Sequence, residues 1–287
     1  MIPAAFDYVR AATFDDAFSA LADPDAKVIA GGLSLLPMMK LRLARPTQLV
    51  DIAPLGLSGI DADADGTRVG ALTTYAELLS ASRGNGHGLG AIADCAARVG
   101  DLQVRNAGTV GGGVAHADPA SDLAAGVLAM EARVVLRSPR GTREVDAADF
   151  FVGPFTTALD QVELLVELRV PHPQPNQGSA YVSVEDPASG YPIAGAAVRI
   201  RRDGDRIVAC TVGITGAAGH PFRAQRVEEL IVHGNVPTVA ELHGAFADLH
   251  AMSDVIAGAA YRRHLAAVVV HRAATRAFDN ALPRGAR

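Results

Sequence analysis

Lys27-Val28-Ile29-Ala30-Gly31-Gly32-Leu33-Ser34-Leu35 is the stretch on which the fold of this chain turns. A short apolar run gives way to two glycines and then to a helical pattern over Leu35 to Leu41. The segment therefore reads as strand, tight turn and helix. Glycine admits φ values closed to other residues and lets a ligand approach the main chain. The first amides of the following helix have no intrahelical partner and lie at the positive end of its dipole, a combination suited to phosphate. The spacing is neither G-x-G-x-x-G nor a phosphate loop with its lysine. Taken alone, the turn stands equally for a ligand cradle and for a plain tight turn.

On the N-terminal side, Thr13 with Asp16 three residues on has the form of a capping box, ahead of apolar Ala17, Phe18 and Leu21 on one helical face. On the C-terminal side, Pro46 ends the unit and Gln48 to Ile52 reads as another strand. A second unit opens with the strand-like Arg68-Val69-Gly70-Ala71, and Thr73-Thr74 caps a helix over Ala76 to Leu79. Gly84 to Gly90 reads as a loop and Ala91 to Ala97 as a helix. Gly100 to Asp118 is expected to be irregular, with Pro119 at the first position of a helix reaching about Glu131. Val134 to Leu136 and Leu164 to Val170 are strands. Pro171, Pro173 and Pro175 make a stiff connector. Beyond it come strands at Ala180 to Val184, Ile193 to Ile200 and Ile207 to Ile214. Helices follow near Phe222 to Val232, Val239 to Leu249 and Ala259 to Phe278. Strands followed by helices indicate a separate α+β domain.

Composition narrows the classes. With 287 residues, 49% hydrophobic and 20% charged, the chain is globular and long enough for about two domains. It lacks tryptophan and has 5% aromatics, so its core rests on Ala, Val, Leu and Ile. A net charge of −5 argues against a nucleic-acid or anionic-membrane surface. Two cysteines, Cys95 and Cys210, can build neither a disulfide framework nor an all-cysteine iron–sulfur cluster. Reduced thiols, the absence of a signal-peptide pattern and apolar runs no longer than Leu265 to Val270 lead to a cytoplasmic expectation with no transmembrane segment.

The second glycine cluster is Asn106-Ala107-Gly108-Thr109-Val110-Gly111-Gly112-Gly113. Three successive glycines are costly to order and make sense where backbone amides touch a ligand. Asp122 follows in the first turn of a helix, where it either faces sugar hydroxyls or simply favours the helix dipole. His116 with Asp118 supplies two metal ligands, too few for a site. Asp160, Glu163 and Glu167 read as a solvated edge. Arg199, Arg201, Arg202 and Arg206 read as a wet face around a hairpin turn at Asp203-Gly204.

Taken together the two clusters are far more specific. Ile29-Ala30-Gly31-Gly32-x-Ser34-Leu35-x-Pro37 resembles the first flavin motif of the medium subunits of molybdenum hydroxylases, the carbon monoxide dehydrogenase, xanthine dehydrogenase and aldehyde oxidase family. Val104-Arg105-Asn106-x-Gly108-Thr109-Val110-Gly111-Gly112, continued by Ala115 to Asp122, resembles the second. Phe151-x-Gly153-x-x-Thr156, Glu163-Leu164-Leu165 and Tyr261-Arg262-Arg263-His264-Leu265 extend the likeness over the whole chain.

The resemblance implies an α+β fold. A two-lobed FAD-binding domain of the vanillyl-alcohol-oxidase type is expected over 1–174, with lobes of about 1–56 and 57–174. A smaller α+β domain over 175–287 would combine a three-stranded sheet with a helical bundle. It implies that Ile29, Ala30, Gly31, Gly32, Leu33, Ser34 and Leu35 hold the FAD pyrophosphate. Thr109, Gly111, Gly112 and Gly113 would form a second cradle, and Asp122 would meet the adenosine sugar or phosphate. Leu165 and Val99 would pack near the flavin, with Tyr191 shielding its ring. Two departures stand out. Tyr181-Val182-Ser183-Val184-Glu185 lacks the lysine that relatives carry there, and Leu33 replaces a polar residue.

The implied function is an electron-transfer subunit. Its partners would be a large molybdenum-cofactor subunit and a small subunit with two [2Fe-2S] clusters, in a dimer of heterotrimers. The alternatives are a self-contained FAD oxidase of the same superfamily and a scaffold that has lost its flavin.

Overall fold

The computed structural model describes residues 2–83, 88–232 and 234–281. The N-terminal elements are β1 (Asp7–Arg10), α1 (Phe14–Leu21), β2 (Lys27–Ile29), α2 (Leu35–Lys40) and β3 (Gln48–Asp51). Their strands pair in parallel in the order β1-β3-β2. The Thr13 side chain accepts from the Asp16 amide while the Asp16 carboxylate accepts from the Thr13 amide, so both ends of the expected capping box are made. Strand β2 then runs into the glycine turn and helix α2 in the anticipated order.

The middle elements are β4 (Ile60–Ala62), β5 (Gly66–Gly70), α3 (Tyr75–Arg83), α4 (Gly90–Arg98), α5 (Leu102–Ala107), α6 (Val110–His116) and α7 (Asp122–Ala129). They continue with β6 (Arg133–Ser138), β7 (Gly141–Asp146), α8 (Ala147–Phe150), β8 (Phe151–Gly153), β9 (Thr156–Thr157) and β10 (Leu164–Pro171). Five of these strands form an antiparallel sheet in the order β4-β5-β10-β6-β7. Strand β10 sits at its centre and joins two cores. Leu164 packs with Ala11, Phe18 and Val50 beneath the parallel sheet, while Leu165 and Leu168 pack with α4 and α7 on the other side. Leu164 and Leu165 alternate by the two-residue period of a strand, and the bulge between Leu165 and Glu167 returns Leu168 to the Leu165 side.

The last elements are β11 (Gln177–Glu185), β12 (Pro192–Asp203), β13 (Arg206–Thr215), β14 (Phe222–Arg223), α9 (Gln225–Ile231), α10 (Val239–Ala245) and α11 (Ala259–Asn280). Three long antiparallel strands and a two-residue fourth are covered by these helices, matching the expected order of strands then helices. Helix α7 is buried along its whole length, because it packs against α4 on one side and against β12 and β13 on the other.

Several expectations are corrected. Residues 100–118 are not irregular. Asp101 caps α5 through the Val104 amide, and Thr109 caps α6 through the Gly112 amide. Pro119 does not start a helix. Asp118 folds back on the Ala120 amide and delays helix α7 to Asp122. Strands β1, β4 and β7 lie where no strand was expected, and β7 is polar and exposed for most of its length. Of the glycine-rich loop expected over 84–90, residues 84–87 lie outside the described residues; Gly88 and Gly90 both take positive φ.

Glu163 is not on a solvated edge. It is buried, bonded by Arg143 through both oxygens, and the Arg143 bond with that of the Asp160 amide holds its carboxyl below the usual range despite burial. Arg202 is buried too, stacked 3.9 Å over Phe278 with Gly204 and Asp205 as partners. Arg199 pairs with Glu131.

Candidate functional site

The turn after β2 brings the two glycine clusters into contact. A Cβ on Gly31 would fall 2.0 Å from the Ala107 carbonyl oxygen and 3.0 Å from the Gly108 Cα. Only glycine allows that approach. Gly32 takes φ +71°, so it needs glycine for a different reason. Among the described residues, the amides of Ala30 to Ser34 have no hydrogen-bond partner. Ser34 precedes α2 without capping it through its side chain. Leu33, whose side chain departs from the family pattern, is 37% exposed, and the turn's unpartnered donors are main-chain amides. A row of unpartnered amides at a strand-to-helix turn fits an anionic ligand such as a pyrophosphate.

The second cluster is built differently. Thr109 bridges to Thr74 in an antiparallel contact, with the Tyr75 amide donating to Gly108 and the Val110 amide to Thr73. The Gly111 amide donates to the Ala71 carbonyl at 2.8 Å, and the Gly113 amide to Thr109 at 3.0 Å. These amides are therefore engaged within the fold, unlike the expectation that they face a ligand. Their glycines are needed for packing. A Cβ on Gly111 would fall 2.5 Å from the Ala71 Cβ, and one on Gly113 would fall 2.1 Å from the Tyr75 hydroxyl oxygen. Gly112 alone is exposed. Its amide makes one long bond of 3.2 Å to Thr109 Oγ, a cap that an anion's oxygen can replace.

Behind this cluster lies Asp122, in the first turn of α7. The Tyr181 hydroxyl of β11 donates to it at 2.6 Å. Burial, reinforced by Glu185, pushes its carboxyl up to about 7, against the opposing effects of the Tyr181 bond and Arg98. Tyr75 and Tyr181 are both raised, chiefly by burial and then by the nearby Asp122. Tyr191 is half exposed. Burial raises its phenol, and Asp118 and Asp122 add to the shift, so the ring lies near the turn that leads into α7.

Leu165 is sealed in the core of the five-stranded sheet. It connects to the second cluster through Ala71, whose amide donates to Val166 and whose Cβ lies under Gly111. Val99 ends α4, and its carbonyl accepts from Arg105 at 3.1 Å. Where the expected lysine is missing, Ser183 donates to Glu185, which pairs with Arg98 of α4 at 3.4 Å. Sequence patterning did not point to Tyr75, Tyr181 or Arg98. Their partners lie 38 to 87 residues away, and the only hint is that tyrosines are scarce, five in the chain.

Residues 4–173 match the model of the FAD-binding domain in molybdopterin dehydrogenase, and residues 179–277 that of the carbon monoxide dehydrogenase flavoprotein C-terminal domain. The chain belongs to the FAD-binding subunits of the molybdenum hydroxylases. FAD is its cofactor and it is an oxidoreductase subunit.

Among relatives of this flavoprotein subunit, the carbon monoxide dehydrogenase medium chain of Afipia carboxidovorans is 35% identical over 284 residues, covering 96% of this chain and 98% of that one. The xanthine dehydrogenase FAD-binding subunit of Escherichia coli is 34% identical over 229 residues, covering 77% of each. In structure, the Cu,Mo-CO dehydrogenase in its cyanide-inactivated form matches with TM-score 0.91 and 33% identity, covering 98% of this chain and 100% of that one. Quinoline 2-oxidoreductase from Pseudomonas putida 86 matches with TM-score 0.86 and 29% identity, over 99% and 100% of the two chains.

Proposed function

We propose that this chain is the electron-transfer subunit of a heteromeric molybdenum hydroxylase. Electrons would arrive from two [2Fe-2S] clusters on a small partner chain, after oxidation of substrate on a large molybdenum-cofactor subunit, and leave for an external acceptor. One observation carries the reading: unpartnered amides over Ala30 to Ser34, packed against the segment that leads into the second glycine cluster. FAD, when bound, supplies reversible electron transfer; the protein supplies position and electrostatics.

Ile29 ends the strand that aims the turn, and the backbone from Ala30 to Leu35 holds the pyrophosphate. The Thr109 side chain and the exposed Gly112 amide, shaped by Gly111 and Gly113, close the other side. Asp122 would stand behind the cofactor's sugar–phosphate region, and the core residue Leu165 with Val99 would back the apolar wall near the flavin. Tyr191 covers the ring. The chain would divide into 1–174 and 175–287, with the cofactor between the two parts. Buried free Cys95 and Cys210 are too few for an all-cysteine cluster, which agrees with clusters held by a partner.

Among the described residues no helix is long and apolar enough to cross a membrane. A dimer of heterotrimers in the cytoplasm completes the proposal. Purification of the chain should yield non-covalent FAD at one per chain, and it should copurify with the two partner subunits. A chain that takes up no flavin even on reconstitution sinks the reading.

A further inference from the structure

Arg262 is a charged side chain that is 97% buried, since its exposure is 3%. It lies in the first turn of α11, far from either glycine cluster in sequence. Its guanidinium gathers four separate acceptors. Nη1 donates to the Ile193 carbonyl at 2.7 Å and to the Gly216 carbonyl at 2.6 Å. Nη2 donates to Asp254 at 2.7 Å, and Nε reaches the Ala257 carbonyl at 3.4 Å. Burying a guanidinium is expensive unless its donors are met, so a site that meets them from three different segments defines how those segments lie.

Two of these segments lead to the site. Ile193 stands two residues after Tyr191, at the start of β12. The 186–191 turn before it is closed largely on itself. The Gly190 amide donates to Asp186, the Asp186 amide to the Tyr191 carbonyl, and the Ser189 hydroxyl to the Asp186 carboxylate. Both ends of the turn are joined by the β11–β12 ladder, with Glu185 opposite Pro192, and Arg262 adds a further bond to the exit strand at Ile193. The second segment is Gly216. Its amide donates to the Pro119 carbonyl, which also accepts from the Thr215 hydroxyl, and Pro119 opens the turn into Asp122. One guanidinium thus ties the strand that leaves the Tyr191 loop to the segment bonded to the turn it faces. Tyr191 and Arg262 line the same cavity of about 200 Å³, with Asp118 and Pro119 on its wall.

We propose that Arg262 is the positioning residue that sets Tyr191 against the flavin, an inference that rests on the placement of Tyr191 given above. Arg262 does not touch the cofactor; it acts through Ile193 and Gly216.

The test uses the full chain reconstituted with FAD. Its readouts are the dissociation constant and the emission of the bound flavin, which a stacked phenol quenches. Arg262→Gln should weaken FAD binding at least tenfold and raise bound-flavin emission to the level of Tyr191→Ala. Arg262→Lys, which keeps the charge and part of the donor set, should recover part of both. Because the two residues act as one unit, the Tyr191→Ala/Arg262→Gln pair should bind FAD within twofold of Tyr191→Ala alone. Additive losses, or unchanged flavin emission in Arg262→Gln, overturn the proposal.

If Arg262→Gln does not fold, Asp254→Asn loosens the clamp from its exposed end and should shift emission in the same direction by less; no shift counts against the clamp. Limited proteolysis across 186–193, read without FAD, should accelerate in Arg262→Gln or Asp254→Asn. That readout separates the two ideas. A wild-type chain that binds no FAD refutes the flavin placement, whereas unchanged proteolysis refutes the clamp.

Discussion

At Gly31 a side chain is excluded by the Ala107 carbonyl, yet the amides around it have no partner among the described residues; at Gly111 a side chain is excluded by Ala71, and the amide there is bonded to the Ala71 carbonyl. Both segments are glycine-rich, and both need glycine for close approach. They differ in what the backbone has left to offer. The first keeps its donors for a ligand. The second uses most of its donors to seat α6 on the five-stranded sheet, and presents a ligand with the exposed edge at Gly112. Glycine content marks tight approach; free amides mark the cradle.

Paired substitutions break or sustain that contrast most sharply. Gly111→Ala drives a methyl into Ala71 in a buried site, which should cost about 3 kcal/mol and lower the melting temperature by roughly 5 °C or more. Gly31→Ala separates the two clusters at a half-exposed turn. It should lose about 100-fold in FAD affinity, about 2.7 kcal/mol, and because the obstacle is backbone it should also lower the melting temperature of the apo-protein. Calorimetry of the apo-proteins and flavin titration read the two effects apart. If Gly31→Ala keeps its flavin, the free-amide cradle is wrong.

Behind the second cluster lies the buried carboxyl of Asp122, and pH reads it. Burial raises Asp122 from its ordinary value near 4 to about 7. A raised folded-state value means that the protonated form is favoured by folding. Its stability contribution is full below about pH 4 and is lost as pH rises through about 7. The loss should approach 4 kcal/mol across that window, and Asp122→Asn should flatten it. Urea unfolding of the apo-protein between pH 4.5 and 8 checks the slope. A wild-type curve that rises with pH through this window to the same degree as the Asn variant would remove Asp122 from the account.

A smaller effect isolates why Gly113 is glycine. Gly113→Ala should cost about 2 kcal/mol through overlap with the Tyr75 hydroxyl, and the same substitution should be nearly neutral in a Tyr75→Phe background. Equal costs in both backgrounds would assign the glycine to something other than this contact. The least change is expected at Leu33. If amides hold the anion, this partly exposed side chain contributes little, so Leu33→Ser should alter FAD affinity less than about twofold, under 0.5 kcal/mol. A large effect there would mean that side chains, not amides, hold the anion.

Local features were legible from residues a few positions apart. The Thr13–Asp16 box, the cap of α3 expected at Thr73-Thr74 and made by Thr74, and the strand–glycine–helix order at Ile29 to Leu35 are each decided by neighbours within four residues. The three long strands and three helices at the C-terminal end were also legible, because hydrophobic period changes from two to 3.6 along that stretch. Residues 100–118 misled because glycine lowers helix propensity, while here the caps of Asp101 and Thr109 and the contact with Ala71 override it. Glu163 and Arg202 misled because charged side chains are mostly exposed, and what buries them is a partner 20 or 76 residues away.

By itself the sequence determined the capped start of α1, the strand–glycine–helix order at Ile29 to Leu35, and which family's pattern the two clusters together match. Only the tertiary structure decided which of those glycine amides remain free among the described residues, that Asp122 is buried against Tyr181, and that Arg262 bonds the exit of the Tyr191 loop. The reason is one of range. Caps, turns and periodicity are satisfied within a few residues, whereas desolvation and the supply of hydrogen-bond acceptors depend on segments that meet only when the chain is folded.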